Sequence, residues 1–468
     1  MNLKNNSKLL INYYNKESNK IIINRINRIN RINRINREKE YINYKNLQIN
    51  IYNLLNELKK REINYKKYIY MKEEDEYKNT LNKINNMHFT YNMYISTEII
   101  DYINNNGIEL EVIDNLSIRI NIFKYKKSKK EEEDRRVRII IMSINLIEKL
   151  TNSGCSRKGI IINIFLTPFK REIEYNKREI LNSNNSNGGF SYGCKDKGEI
   201  VIYREEEYLK VLCHELCHNY GLDSSLWVYI EKVNNKSRIE LEMYKNFIKN
   251  FNLNNNNIYF PECIVEFWGE FIHNVLYSHD TTNTFEKYIK LFEYIEDLEI
   301  MHSFMQTAKI LYYNNIEYNE LIRNNILRND IKRDKTRNNK LRNDIKKDKT
   351  RNNKLINDIK RDKTRNNILR NNKYKERTHI FSYYILKMYL KSDYKNVINN
   401  NLILNNNNIR FPDKIESIEY IFKYIIDRIN DKEIYKCINY YYNLILNNSM
   451  KRKNYVYNNL RMSILEYE

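Results

Sequence analysis

Proline is almost missing from this chain of 468 residues, with three in all, and glycine is scarce at nine. So little of either excludes collagen-like repeats and Pro- or Gly-rich linker architecture. Cysteine numbers six, too few over this length for a disulfide scaffold, and the expectation is free thiols in a reducing compartment. Long hydrophobic runs are also absent. The longest unbroken apolar stretch is Leu226 to Ile230, against the ~18–20 residues that a membrane-spanning helix requires. No transmembrane helix is expected. The opening MNLKNNSKLLINYYNK breaks its apolar residues with Asn and offers no signal-peptide core of about 7–15 apolar residues, so an intracellular location is expected.

Negative charge is in short supply too: 81 Lys and Arg face 59 Asp and Glu, a formal charge of +22. The excess is unevenly placed. The Arg-Ile-Asn run from Arg25 to Arg37 carries +5 and the tract from Arg328 to Arg370 carries +11, so most of the charge sits in low-complexity sequence. The remainder is mildly basic, and nucleic-acid binding does not follow from the total. The tracts themselves could attract RNA, DNA or anionic surfaces weakly and in a salt-dependent way. What is abundant, 41% hydrophobic and 13% aromatic residues, suffices for a sizeable core.

Residues 1–60 are polar and repetitive, and the period-three Arg-Ile-Asn triplet matches neither helix nor strand, so this basic arm is expected to be disordered. Between Thr90 and Tyr203 short β-like runs recur at Ile108–Ile113, Ile118–Ile122, Val137–Met142, Ile160–Leu166 and Glu199–Tyr203. Beyond Glu205 the spacing turns helical, over 205–220, 236–251, 261–278, 284–299 and 301–314. A 14-residue repeat follows, RNDIKRDKTRNNKL and two near copies. Each unit has two apolar positions, too few for a core, so 321–372 is expected to be a basic surface insertion, disordered or loosely helical. Helical patterning resumes over 373–468. The class expected is α+β, a mixed sheet followed by a mainly helical C-terminal half.

The most informative segment is EEEYLKVLCHELCHNYGLD, which contains His214-Glu215-Leu216-Cys217-His218, the H-E-x-x-H pattern. On a helix both imidazoles project from one face on consecutive turns, while Leu209, Leu212, Cys213, Leu216 and Tyr220 cover the opposite face. One ion can meet both. Glu205 to Glu207 suit a helix start and Gly221 a helix end. A catalytic zinc takes three protein ligands and leaves a position for water, so a third ligand must come from elsewhere. The best supplier is PECIVEFWGEFIHNVLYS, where Glu262, Glu266, Gly269, Glu270 and His273 form a polar stripe on an otherwise apolar helix. Carboxylates in such a place need a partner, and a zinc ion is a strong one.

H-E-x-x-H with a glutamate ligand on a later helix resembles the gluzincin class of zinc metallopeptidases, in which a second carboxylate one turn beyond the ligand often supports a histidine. Either Glu262 with Glu266 or Glu266 with Glu270 fits that arrangement; Glu266 is the preferred ligand, with Glu262 next. More closely, GEIVIYREEEYLKVLCHELCHNYGLD, the E-x-x-x-E-x-W from Glu262 to Trp268, and YKERTHIFSYYILK from Tyr374 onward are similar to predicted metallopeptidase-like proteins of large nucleocytoplasmic DNA viruses. The resemblance spans residues 85–425 apart from the repeat tract. It implies a zincin-like domain over 61–320, with 373–468 packing on it as helices. It also implies one catalytic Zn2+, a peptide or protein substrate cut by an endopeptidase, and a cytoplasmic or virion-associated place of action.

With zinc held by His214, His218 and a glutamate, Glu215 would be the general base, since it points about 100° round the helix from His214 and reaches water rather than the ion. Strand Glu199–Tyr203 is expected to be the edge that pairs with an extended peptide, with 187–192 shaping the cleft. Tyr192, Tyr220 and His279 are candidate oxyanion donors. A metzincin site would need a ligand at Ser224, and Asp223 comes one residue too early. Cys213 and Cys217 point away from the histidines and are expected as buried thiols, and His273 and His302 as structural residues. The alternative is a non-catalytic zincin-fold protein that binds nucleic acid or a partner through its basic tracts.

Overall fold

Runs of β-branched residues broken by turn residues build a six-stranded sheet, and a separate two-stranded hairpin, Ile403–Asn405 with Asn408–Arg410, interrupts the C-terminal part expected to be helical. In the computed structural model the strands of the sheet are β1 Lys66–Met71, β2 Glu109–Asp114, β3 Ile118–Lys124, β4 Ile160–Phe165, β5 Gly189–Ser191 and β6 Gly198–Ile202, in the order β1-β2-β3-β4-β6-β5. β3, β4 and β6 are parallel, while β1, β2 and β5 pair antiparallel, so the sheet is mixed. The structure describes residues 3–16, 22–25, 37–61, 64–89, 94–115, 117–127, 129–151, 154–175, 179–223, 247–253, 258–322, 374–405, 408–411, 415–447 and 454–466. The principal helices are α1 Asn5–Tyr14, α2 Arg37–Lys60, α3 Asp75–Ile84, α4 Thr97–Asn106, α5 Lys130–Thr151, α6 Tyr208–Asn219, α7 Pro261–Thr281 and α8 Phe285–Tyr313. They continue with α9 Lys387–Lys391, which extends a π-helical stretch Phe381–Leu386, then α10 Tyr394–Asn401, α11 Ile415–Ile429 and α12 Lys432–Asn447.

The two-residue period of the strands divides their side chains between two cores. Ile120, Ile122, Ile162, Ile164, Ile200 and Ile202 face the larger core, shared with α5 to α8 and the C-terminal helices. Leu110, Val112, Phe123, Phe165, Val201 and Tyr203 face a smaller one closed by Tyr77 and Leu81 of α3 and Ile99 and Ile103 of α4. Phe123 and Phe165, from adjacent strands, stack with centroids 4.5 Å apart. The α+β class with a mixed sheet holds, and no helix among the described residues is long and apolar enough to cross a membrane.

Several expectations are corrected. Val137–Met142 is not a strand but lies within α5, whose apolar positions 137, 140, 141, 144 and 147 keep helical spacing, so burial on several sides overrides the β propensity of the isoleucines. Within 1–60, α1 and α2 are ordered and send Leu10, Tyr14, Leu47, Ile51 and Leu55 into the large core. The i, i+4 spacing of Leu47, Ile51 and Leu55 marks that face. The regions expected at 284–299 and 301–314 form one helix, α8, capped by Thr284, whose hydroxyl accepts from the Lys287 N–H at 3.3 Å. The edge strand is β5 rather than the segment Glu199–Tyr203, because β6 is flanked by β4 and β5. Two cysteines are not free: Cys155 and Cys194 form a disulfide with Cα atoms 5.1 Å apart. They precede β4 and β6, whose parallel register pairs Ile160 with Gly198 and so brings the two turns together. The Arg-Ile-Asn tract over 26–36, the expected helix over 236–246 and the 14-residue repeats lie outside the described residues.

Candidate metal centre

α6 carries the H-E-x-x-H residues and is buried along nearly its whole length. It begins at Tyr208, later than expected, because Glu207 adopts a left-handed φ of 57° and the three glutamates before the helix are used elsewhere. Glu205 pairs with Lys4 at 3.0 Å and Lys126 at 2.8 Å, Glu206 accepts from the Arg171 N–H at 2.7 Å, and Glu207 pairs with Arg171. The helix ends in a Schellman turn: Gly221, φ 75°, donates to His218 O, and Leu222 donates to Cys217 O, both at 2.9 Å. That turn folds the chain back so that Asp223 Oδ2 reaches His218 Nδ1 at 2.8 Å.

α7 crosses α6 at Gly269, where a Cβ would stand 2.8 Å from His214 Cα. Only glycine lets the two helices come this close. The approach brings Glu262, in the first turn of α7, onto the histidines. Glu262 Oε2 is 3.3 Å from both His214 Nε2 and His218 Nε2, and the two Nε2 atoms are 3.2 Å apart. Donor atoms on a tetrahedral ion with bonds of about 2.0–2.1 Å are separated by about 3.3–3.4 Å, so the three atoms already form one face of such a tetrahedron. His214, His218 and Glu262 are therefore the residues that could hold a metal ion.

Glu266, the preferred ligand from sequence, is not part of this triangle. Its Oε2 lies 2.9 Å from His214 Nδ1, behind the imidazole, while Lys210 contacts its other oxygen and Lys387 stands 3.7 Å away. Of the two carboxylate pairs, the geometry selects Glu262 with Glu266. Glu270 is farther still, bound by Lys387 at 2.6 Å and Lys391 at 2.7 Å. A carboxylate stands at the Nδ1 of each histidine, the arrangement that fixes ring orientation and turns the Nε2 lone pair forward. When both imidazoles are neutral, two such lone pairs and a carboxylate oxygen converge with no donor among them, an arrangement that suits a cation.

Without a cation, protons take its place. Burial opposes charging His218, but Asp223 and then Glu262 raise its pKa well above the ordinary value, and Glu262 with Glu266 raises that of His214 against its burial. Burial would push Glu262 up, yet His218 and His214 hold it well below the usual carboxylate range. Glu266 is drawn down to about 2 against its burial, chiefly by Lys210, then by His214 and Lys387. Glu215 goes the other way. Burial raises its pKa and outweighs His214 and His218.

Glu215 and His214 line a cavity of about 20 Å3 with Gly188 and Gly189 of the β5 segment and Tyr383, roughly the room one water needs. The Tyr383 ring lies 5.9 Å from that of His214. Burial, then Glu262 and Glu215, keep its phenol protonated by raising the pKa well above 10.0. The three donors suggested by sequence lie elsewhere. Tyr192 is bonded through its hydroxyl to His88 Nδ1 at 2.8 Å, Tyr220 caps α6, and His279 meets Asn56 at 3.0 Å at the far end of α7. Cys213 and Cys217 are buried thiols, the first pushed by burial up to about 12. Sequence reasoning missed Tyr383, Lys210 and Lys387; a lysine in the middle of a buried helix was the available signal for the last two.

No protein-family model matches this chain, and no curated protein or solved structure matches it. The site is therefore interpreted from its own residues.

Proposed function

We propose that the protein is a zinc-dependent metallopeptidase of zincin-like fold, in which His214, His218 and Glu262 hold one Zn2+ and Glu215 is the general base. The observation that carries this reading is the triangle of Nε2, Nε2 and Oε2 atoms with 3.2–3.3 Å edges. When bound there, zinc supplies Lewis acidity, polarising a carbonyl oxygen and lowering the pKa of a water to roughly 7.

The chain's own residues do the rest. Glu215, with its raised pKa and its place on the cavity beside His214, takes the proton of the attacking water at its carboxylate and returns it to the leaving amine. Tyr383, kept protonated, donates to the oxygen that gains charge as the carbonyl becomes tetrahedral. Glu266 and Asp223 orient the two imidazoles. The outer edge of β5, the last strand of the sheet, offers backbone donors and acceptors on which an extended peptide substrate would lie as an added strand.

Metal analysis with a peptide-library digest tests the reading. Wild type should bind one zinc and cut peptides. Glu215→Gln should keep the zinc and lose hydrolysis, and His218→Ala should lose both. A protein that binds no zinc, or a Glu215→Gln variant that cuts as wild type does, would refute it.

A further inference from the structure

A second, larger cleft, of about 450 Å3, shares no lining residue with the cavity at the metal centre. It opens at the carboxyl ends of the three parallel strands. Lys126 and Lys127 follow β3, Thr167 and Lys170 follow β4, and Glu205 and Glu206 follow β6. In open sheets with parallel strands this rim is where ligands settle, because outgoing loops leave a crevice between them. Two helices begin at the same place, α1 behind Lys4 and α6 behind Glu207, and neither has a side-chain cap. Their first-turn N–H groups thus present partial positive charge to the cleft.

Six cations and four carboxylates line the cleft, Glu132 among the latter, and they divide into those already engaged and those that are not. Lys4 is held by Glu205 and Glu466, Lys126 by Glu205, and Arg135 by Asp280. Glu206 accepts from the Arg171 N–H and from the Tyr455 hydroxyl. Lys127, Arg136 and Lys170 also line the cleft, and among the described residues none of them has a carboxylate at ion-pair distance. Arg136 is the telling one. Its guanidinium packs 5.8 Å over the Tyr208 ring and interacts with that residue's hydroxyl, while its Nη1 is buried with no hydrogen-bond acceptor among the described residues. A buried charged donor left without an acceptor is costly, and an anion in the cleft would supply one.

We propose that this cleft binds a small phosphate-bearing anion, seated on Arg136 between Lys127 and Lys170 and against the starts of α1 and α6. A tetrahedral oxyanion suits donors that arrive from several directions, a planar fork, two ammonium groups and backbone N–H groups. The volume fits a phosphorylated small molecule. The site owes nothing to the metal reading.

Calorimetric titration of the full chain with inorganic phosphate and with pyrophosphate at physiological salt tests it. One saturable site is expected, weakened at least tenfold in Lys127→Ala/Lys170→Ala, whose exposed side chains can be removed without disturbing the fold, and weakened likewise in Arg136→Gln. Arg138→Ala, on the same helix but outside the cleft, should bind as wild type does. So should His218→Ala, which separates this site from an anion drawn to zinc. Absence of saturable binding overturns the proposal. So does binding of equal strength in wild type and the double lysine variant, since the anion would then sit on the basic tracts.

Discussion

Glu262 and Glu266 lie one turn apart on α7, both are buried, and both face His214, yet their removal should have opposite consequences. Among the described residues, the ion-pair partners of Glu262 are the two Nε2 atoms where the ion would sit. Structural zinc sites bind with ~10–16 kcal/mol over four ligands, or ~2.5–4 kcal/mol per ligand. Glu262→Gln should therefore weaken zinc binding by about 10²–10³-fold. In zinc-free protein the same change removes a charge that favours the protonated imidazoles, but they can shed their protons and Glu266 and Asp223 still orient them, so the cost should stay below about 3 kcal/mol. Glu266→Gln keeps an acceptor behind His214 but removes the charge, which predicts a loss of about 10–100-fold in zinc affinity. Its larger effect is on the fold. Lys210 is buried with Glu266 as its ion-pair partner, and stranding such a charge costs about 3–5 kcal/mol. Competition against a chromophoric chelator measures the first quantity and thermal denaturation of zinc-free protein the second. The two variants should cross, Glu262→Gln worse in affinity and Glu266→Gln worse in stability. Equal ranking in both assays would refute the division of roles.

Other outcomes follow from the same geometry. Tyr383→Phe should lower kcat by about 10²-fold with little change in KM, read from steady-state peptide cleavage, because only a hydroxyl that acts on the developing charge is removed. Burial pushes Glu376 up to about 8 although the Tyr374 hydroxyl and the Phe381 N–H donate to it. Folded protein thus holds an extra proton between the ordinary carboxylate pKa of 4.5 and about 8, and stability should fall with rising pH across that window, by at most about 5 kcal/mol, then level off. Glu376→Gln should flatten that slope in urea titrations run from pH 5 to 9. Deleting residues 459–466 should unfold the protein at 37 °C, because Met462 and Ser463 donate to Glu207, Met462 O accepts from Lys387, and Asn459 O accepts from Lys309. Circular dichroism of the truncated chain checks it.

The sequence displayed the site's periodic part and hid its non-local part. Histidines four apart on a helix share a face by arithmetic, and the polar stripe on the α7 sequence was visible in the same way. Which carboxylate of that stripe meets the two Nε2 atoms depends on where two helices cross, set by the absence of a side chain at Gly269 against His214. No periodicity carries that distance, so Glu266 looked as good as Glu262. The edge strand was misplaced for a related reason. Gly189–Ser191 has three residues and only Phe190 for a β signal, whereas Glu199–Tyr203 is longer and apolar. Val137–Met142 misled because a run of isoleucines reads as strand locally, while its helical identity rests on burial against α6 and α2. Lys387 reaches Glu270 across 117 residues of sequence, and no local pattern could have joined them.

Beneath the candidate metal centre lies a buried ionic layer of three lysines, Lys210, Lys387 and Lys391, and four glutamates, Glu266, Glu270, Glu296 and Glu299. Lys391 binds Glu270 at 2.7 Å and Glu296 at 2.5 Å, and Lys387 links Glu270 to Glu266. Full ionisation would leave one net negative charge in a medium that tolerates none. Burial raises the pKa of Glu296 as well, but Lys391 holds that group, and Glu299, with no cation at ion-pair distance among the described residues, is the better seat for the extra proton. Burial, and then Glu270, raise its pKa well above 4.5; the Ser463 hydroxyl and the Ile464 N–H both donate to Oε1, and Oε2 is buried without an acceptor or donor of its own among the described residues. A proton on Oε2 makes the layer neutral, and neutrality lets Glu266 stay ionised behind His214. Glu299→Gln, a near isostere of the protonated acid, should then change the unfolding free energy by under ~1 kcal/mol at pH 7. Lys391→Met should cost about 3–5 kcal/mol by stranding Glu296, and Lys391→Met/Glu296→Leu should recover most of that loss because the pair leaves together. If Glu299→Gln proves as damaging as Lys391→Met in denaturant titrations, Glu299 is ionised and the layer's charge must be balanced in some other way.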